Sequence, residues 1–187
     1  AIKAAFDAGQ SIFGENYLQE ALEKKEFLYN LDIEWHFIGP IQSNKCKLIS
    51  EHFSWVQTVD RIKIANKLNQ NRDTKNPLNI CIQINISDEA SKSGINVSEV
   101  FVFAELVHNL KSLNLRGIMA IPSKESERKT LLSQYKTMRE IYEKLKIKYN
   151  SIDTLSMGMS NDYLLAIQNG SNLVRIGTKI FGKRKIQ

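Results

Sequence analysis

Short apolar runs rich in β-branched residues alternate along the chain with longer stretches whose apolar residues recur every three or four positions. The first pattern reads as strand and the second as amphipathic helix. Strands are expected over residues 11–14, 33–38, 55–58, 78–86, 115–121, 154–156 and 173–176. The clearest is LNICIQINI at 78–86, set between Pro77 and Asp88. Helices are expected over 2–8, 17–28, 44–51, 61–71, 97–110, 125–148 and 162–169. Gly9 and Gly170 stand where helix C-termini call for a left-handed residue, and Asp60 and Ser160 stand at N-cap positions.

Strand followed by helix, repeated with no hairpin signal between strands, means a parallel α/β sheet. Such a sheet either stays open and doubly wound or closes as a TIM (β/α)₈ barrel. The barrel needs eight strands and usually about 250 residues. The pattern is one strand short, and its first helix has no strand before it. A barrel missing its first strand and the helix ahead of that strand is therefore expected. The absence of an initial Met points weakly the same way.

At 187 residues the chain suits a single domain, 1–187, large enough to bury a core. Hydrophobic residues make up 42% and charged residues 25%, which argues against disorder. No apolar run is long enough to span a bilayer, and residues 1–10 lack the apolar core of a signal peptide. The formal charge of +6 raises the question of a polyanionic partner. The lysines are scattered over helical segments and are not interleaved with aromatics, so a nucleic-acid surface is not expected. Cys46 and Cys81 form no CxxC pair and read as reduced thiols of a cytoplasmic protein.

Polar clusters follow the strands, on the edge where parallel α/β folds place their sites. Ser156-Met-Gly-Met-Ser160 runs into a helix, where a glycine, a hydroxyl and free N–H groups suit an anion. Arg175-Ile-Gly-Thr178 offers similar chemistry after the next strand. Barrels often bind phosphate between their last two loops. From spacing alone, an ordinary helix cap and an ordinary barrel arginine explain these residues equally well.

Phe13-Gly-Glu-Asn-Tyr17, Trp35-His-Phe-Ile-Gly-Pro40, Gln42-Ser-Asn-Lys45, Gln83-Ile-Asn-Ile86, Ser91-Lys-Ser-Gly94, Arg116-Gly-Ile-Met119, Leu155-Ser-Met-Gly-Met-Ser160 and Val174-Arg-Ile-Gly-Thr178 occur together and in order. Along its whole length the sequence resembles the YggS/PROSC family of pyridoxal 5′-phosphate (PLP) homeostasis proteins. That resemblance implies the barrel of the alanine racemase N-terminal domain. It implies a phosphate held by Ser160, Gly177 and Thr178 with the backbone at Met159 nearby. It also implies Arg175 facing the pyridine nitrogen and Asn16 beside the ring. An arginine can only donate there, which keeps the nitrogen unprotonated and makes the ring a weaker electron sink.

The family's Schiff-base lysine comes from the first barrel strand, before the position of Ala1, so it has no counterpart in this sequence. Lys3 lies in the following helix and does not replace it. Lys92 shares the loop edge and has an amine, although a solvated loop lysine is the plainer reading. His36 reads as a core histidine, Cys81 as a small apolar core residue, and Glu15 as either a site-tuning acid or a partner for a basic neighbour. His52 and His108 lack the spacing of metal ligands.

The function implied is binding, storage or transfer of PLP in the cytoplasm by a monomer, without catalytic turnover, with PLP-dependent apo-enzymes as recipients. The alternatives are a PLP-dependent racemase-like enzyme and another phosphate-binding barrel enzyme. A racemase resembles this fold but uses a second β domain with a catalytic tyrosine, and its histidine position falls near Ile121.

Overall fold

The computed structural model describes residues 1–89, 92–123 and 127–182. Seven strands form its sheet: β1 (Ile12–Glu15), β2 (Glu34–Phe37), β3 (Trp55–Val59), β4 (Leu78–Ile84), β5 (Leu113–Ala120), β6 (Thr154–Met159) and β7 (Leu173–Arg175). They lie in sequence order, each parallel to the next. Helix α1 (Ile2–Asp7) precedes β1. After the successive strands come α2 (Leu18–Phe27), α3 (Cys46–His52), α4 (Ile62–Gln70), α5 (Val100–His108), α6 (Arg128–Lys148), α7 (Tyr163–Gln168) and α8 (Thr178–Phe181). The expected parallel βα order thus holds through seven strands, one unit fewer than a full TIM barrel.

One hydrogen bond shows that the sheet is curled. The Ser156 hydroxyl on β6 donates to Gln57 Oε1 on β3 at 2.6 Å. In a flat sheet three strand spacings would separate these strands by about 14 Å. The strands therefore wrap around an interior, as in a barrel, with the helices outside.

Strand alternation sorts the side chains between two cores. Phe13, Trp35, Phe37, Ile80, Ile82, Ile84 and Ile118 point outward and pack under the helices. The longer helices supply apolar residues at helical spacing: Ile64, Ala65 and Leu68 from α4, Phe103 and Val107 from α5, and Tyr135, Met138, Tyr142 and Leu145 from α6. The inward face carries a small second cluster, Trp55, Cys81 and Met119, among polar side chains. Cys81 is fully buried on the face opposite its isoleucine neighbours, as the alternation implied. Burial pushes its thiol up to about 12, so it is inert at neutral pH.

Local expectations failed at several ends. Strand β6 runs on to Met159 instead of stopping at Ser156, and α8 was not foreseen. Gly9 and Gly170 do take left-handed φ values after α1 and α7. Asp60 and Ser160 are not the N-caps of the helices that follow them. Those positions fall to Arg61 and Asp162. Asp60 instead accepts from its neighbour Arg61, whose guanidinium reaches on to the Ile41 carbonyl. The expected helix start at Glu125 lies outside the described residues.

Candidate functional site

Because all the strands run the same way, the loops that follow them gather at one rim. A cavity of about 780 Å³ opens there, within the size range of small-molecule sites. Asn16 after β1, Met159 and Ser160 after Gly158, and Arg175, Gly177 and Thr178 at the end of β7 all line it. The structure thus brings all six sequence-predicted residues to one cavity. Ile12, Ile38, Ile121, Leu131 and Phe181 supply apolar surface beside them.

Asn16 is placed by close backbone packing. A Cβ added at Gly39 would sit 1.9 Å from the Asn16 carbonyl oxygen, so only glycine allows the two loops to meet. The Thr58 hydroxyl donates to the Gly39 carbonyl at 2.7 Å and ties this contact to β3.

Strand β6 bends at Gly158, whose φ of 94° favours glycine and whose missing Cβ would lie 2.5 Å from the Ala166 side chain. Asp162 then clamps the turn. Its Oδ1 accepts the Met159 N–H at 2.7 Å, and its Oδ2 accepts the Tyr135 hydroxyl. Burial, and after it the bond to Asp162, raises the Tyr135 phenol well above its ordinary range, so it stays a donor. Ser160 Oγ accepts the Lys179 N–H at 3.3 Å and ties this loop to α8. A Cβ added at Gly177 would meet nothing within 4 Å, so the backbone there faces open space.

Arg175 spans the interior below. Its Nη1 donates to Ser156 Oγ and its Nη2 to the Ala120 carbonyl at 2.8 Å. Burial pushes its pKa down to about 10, so it remains a cation at neutral pH. Two of its five N–H groups are used in these bonds. Among the described residues lining the cavity it is the only permanent cation, and Asp162 is the only carboxylate.

Other candidates fall elsewhere. Glu15 is tied to Lys24 at 2.6 Å, which settles it as a paired acid. Lys92 Nζ bonds Glu89 at 2.9 Å and Ser87 at 3.2 Å, and it is not among the described residues lining the cavity. His108 packs on Tyr149. No group of metal-ligating side chains occurs among the described residues, and no described helix is long and apolar enough to cross a membrane.

His36 differs from the simple core histidine expected. It is 3% exposed yet lines the cavity, and it bonds both Glu34 and Gln57. Gln57 and Ser156 were missed. Their signal was a polar residue at an inward position in the middle of a strand.

Residues 1–185 match the family described as alanine racemase, N-terminal domain. Pyridoxal phosphate homeostasis proteins of Haemophilus influenzae and Escherichia coli K12 are each 52% identical over 98% of this chain, which covers 80% of either relative. The chain belongs to the pyridoxal phosphate homeostasis protein family. Within the solved folds, PipY of Synechococcus elongatus PCC7942 without PLP aligns at a TM-score of 0.90 and 31% identity, over 97% of this chain and 86% of PipY. PipY with PLP bound aligns at 0.88 and 30%, with the same coverage. Alanine racemase from E. faecalis aligns at 0.78 and 17% over 48% of its own length, a likeness of fold alone.

Proposed function

We propose that this chain binds PLP in the cavity at the strand ends and serves intracellular PLP homeostasis by holding, storing or passing on the cofactor. The observation that carries this reading is the meeting of Asn16, Met159, Ser160, Arg175, Gly177 and Thr178 around one cavity. A PLP-bound relative of the same fold supports it.

The residues fit the group. Ser160 and Thr178 offer hydroxyls, and Gly177 leaves open the space a Cβ would fill, so this end takes the phosphate. Arg175 would hold the pyridine nitrogen as a donor, and Asn16 would lie beside the ring. When bound, PLP supplies a reactive aldehyde on an electron-withdrawing ring. Arg175 keeps that ring from becoming a strong electron sink, since its proton is not given up. The protein's own side chains therefore bind and orient more than they activate, and we assign no turnover.

In the same reading residues 1–187 act as one cytoplasmic, monomeric domain, and PLP-dependent apo-enzymes receive the cofactor. Contacts to the phosphate and the ring nitrogen contribute to the affinity.

Titration with PLP, in the presence and absence of inorganic phosphate, tests the assignment. Phosphate is expected to compete. Gly177→Ala is expected to keep the fold, because its φ of −106° suits any residue and the methyl meets no protein atom. It should nevertheless lower PLP affinity roughly 10-fold by filling the phosphate's space. An unchanged affinity in Gly177→Ala, together with no competition by phosphate, would overturn the site.

A further inference from the structure

A line of hydrogen bonds crosses the barrel interior from the Glu34 carboxylate to the Arg175 guanidinium. Glu34 Oε1 meets His36 Nε2 at 2.8 Å, and His36 Nδ1 meets Gln57 Nε2 at 2.8 Å. Gln57 Oε1 accepts from the Ser156 hydroxyl at 2.6 Å, and Ser156 Oγ accepts from Arg175 Nη1. The members come from β2, β3, β6 and β7, and His36, Gln57 and Ser156 are all buried.

The two ends, together with the Ser156 hydroxyl donating to Gln57 Oε1, set the direction of every bond. A guanidinium only donates, so Ser156 Oγ accepts from it and turns its own hydrogen toward Gln57. Gln57 must then present its oxygen to Ser156 and its NH₂ to His36. A carboxylate only accepts, so the imidazole carries its proton on Nε2 and offers a lone pair at Nδ1. A single neutral tautomer satisfies the whole line.

Protonation of His36 breaks this agreement. Nδ1 becomes a donor facing a donor. The Gln57 amide must flip, and its NH₂ then points at Ser156 Oγ. That oxygen can accept from both Arg175 and Gln57, but its own hydrogen loses its Gln57 acceptor and must turn away.

We propose that His36, Gln57 and Ser156 are positioning residues that hold the Arg175 guanidinium in place for the ring nitrogen of PLP, and that proton uptake by His36 loosens that hold. The proposal rests on the PLP-binding reading above and assigns a regulation to the same site. Cofactor would be retained at neutral pH and given up as the pH falls.

The surroundings of His36 agree. Trp55 stacks on its ring at a centroid distance of 4.9 Å and an interplanar angle of 12°. The Arg116 guanidinium of β5 lies 4.7 Å from the Trp55 ring, so a second cation stands near. From β1 the register partner is Gly14, and the neighbouring Glu15 is occupied by Lys24. Neither Trp55 nor Gln57 of β3 titrates. Glu34 favours the proton, but burial outweighs it and pushes the His36 pKa below the ordinary 6.5. Proton uptake therefore falls on the acid side of pH 6.5.

The test measures PLP affinity from pH 5 to 8 for the wild-type chain, Gln57→Leu and Gln57→Glu, with a thermal melt of each as a check of folding. The PLP phosphate itself titrates near pH 6 and gives all three a common slope. The wild type should lose affinity below pH 6.5 more steeply than this slope. Gln57→Leu should bind about 10-fold more weakly at pH 7.5, the scale of one charge-assisted hydrogen bond, and should lack the extra acid loss. Gln57→Glu should bind within a few-fold of wild type, because a carboxylate accepts from Ser156 and from protonated His36 alike. It too should lack the extra acid loss.

If Gln57→Leu does not fold, the profiles of wild type and Gln57→Glu decide alone, and identical profiles overturn the relay. Wild-type binding of PLP with unchanged affinity and pH dependence in both variants overturns the relay while leaving the PLP reading intact. Failure of the wild type to bind PLP overturns both.

Discussion

Arg175→Ala is expected to weaken PLP binding by roughly 10- to 100-fold, the scale of one or two charge-assisted hydrogen bonds lost from a buried site. The guanidinium is the only permanent cation among the described residues lining the cavity, so nothing described there replaces it. Arg175→Lys should recover little, because an ammonium keeps the charge but cannot span Ser156 Oγ and the Ala120 carbonyl with a planar fork. Ser160→Ala should cost less, since the Thr178 hydroxyl and the open backbone at Gly177 remain in the cavity wall. Direct titration of PLP into each variant checks this. Unchanged affinity in both Arg175→Ala and Ser160→Ala would sink the assignment of these residues.

Gly39→Ala should damage the fold and the site together. Its Cβ would fall 1.9 Å from the Asn16 carbonyl oxygen, a backbone atom that no rotamer change can move away. The two loops must separate, at a cost of about 3 kcal/mol. For a chain of this size that lowers the thermal midpoint by roughly 6–12 °C. Asn16 moves with the loop, so PLP affinity should fall as well. Gly177→Ala is the matched control, with weaker binding at an unchanged midpoint. A Gly39→Ala protein that melts like wild type would show that the loops have slack the packing does not suggest.

The order of the fold was legible because its signals are local. LNICIQINI at 78–86 declares a strand by its own alternation, and α4 declares a helix by the spacing of Ile64, Ala65 and Leu68. The site was legible where a loop carries a motif, as at Ser160 and Gly177-Thr178. Other features depend on partners far along the chain. Helix α8 spans too few residues for a period to show. The sequence pattern ends strand β6 at Ser156, whereas Met159 still pairs with Arg175 beyond the bend at Gly158. Asp162 was placed inside a helix, yet its work is to hold the Met159 N–H and the Tyr135 hydroxyl. Residue type alone leaves Glu15 and His36 open, and only their contacts separate an acid buried against Lys24 from a cavity wall.

The sheet pairs each strand with its neighbours in sequence, so the contacts between adjacent strands are far more local than those across the barrel. Every step from β1 to β7 adds one βα unit to an existing edge, closing a loop of a few tens of residues. The Gln57–Ser156 bond joins positions 99 residues apart and forms only after four strands have been laid side by side. Longer loops close at greater entropic cost, so this contact should come after the rate-limiting step. Substitutions at Gln57 should then speed unfolding and leave the refolding rate nearly untouched. The interior line that organises Arg175 would be the last part of the molecule to take shape and the first to be lost.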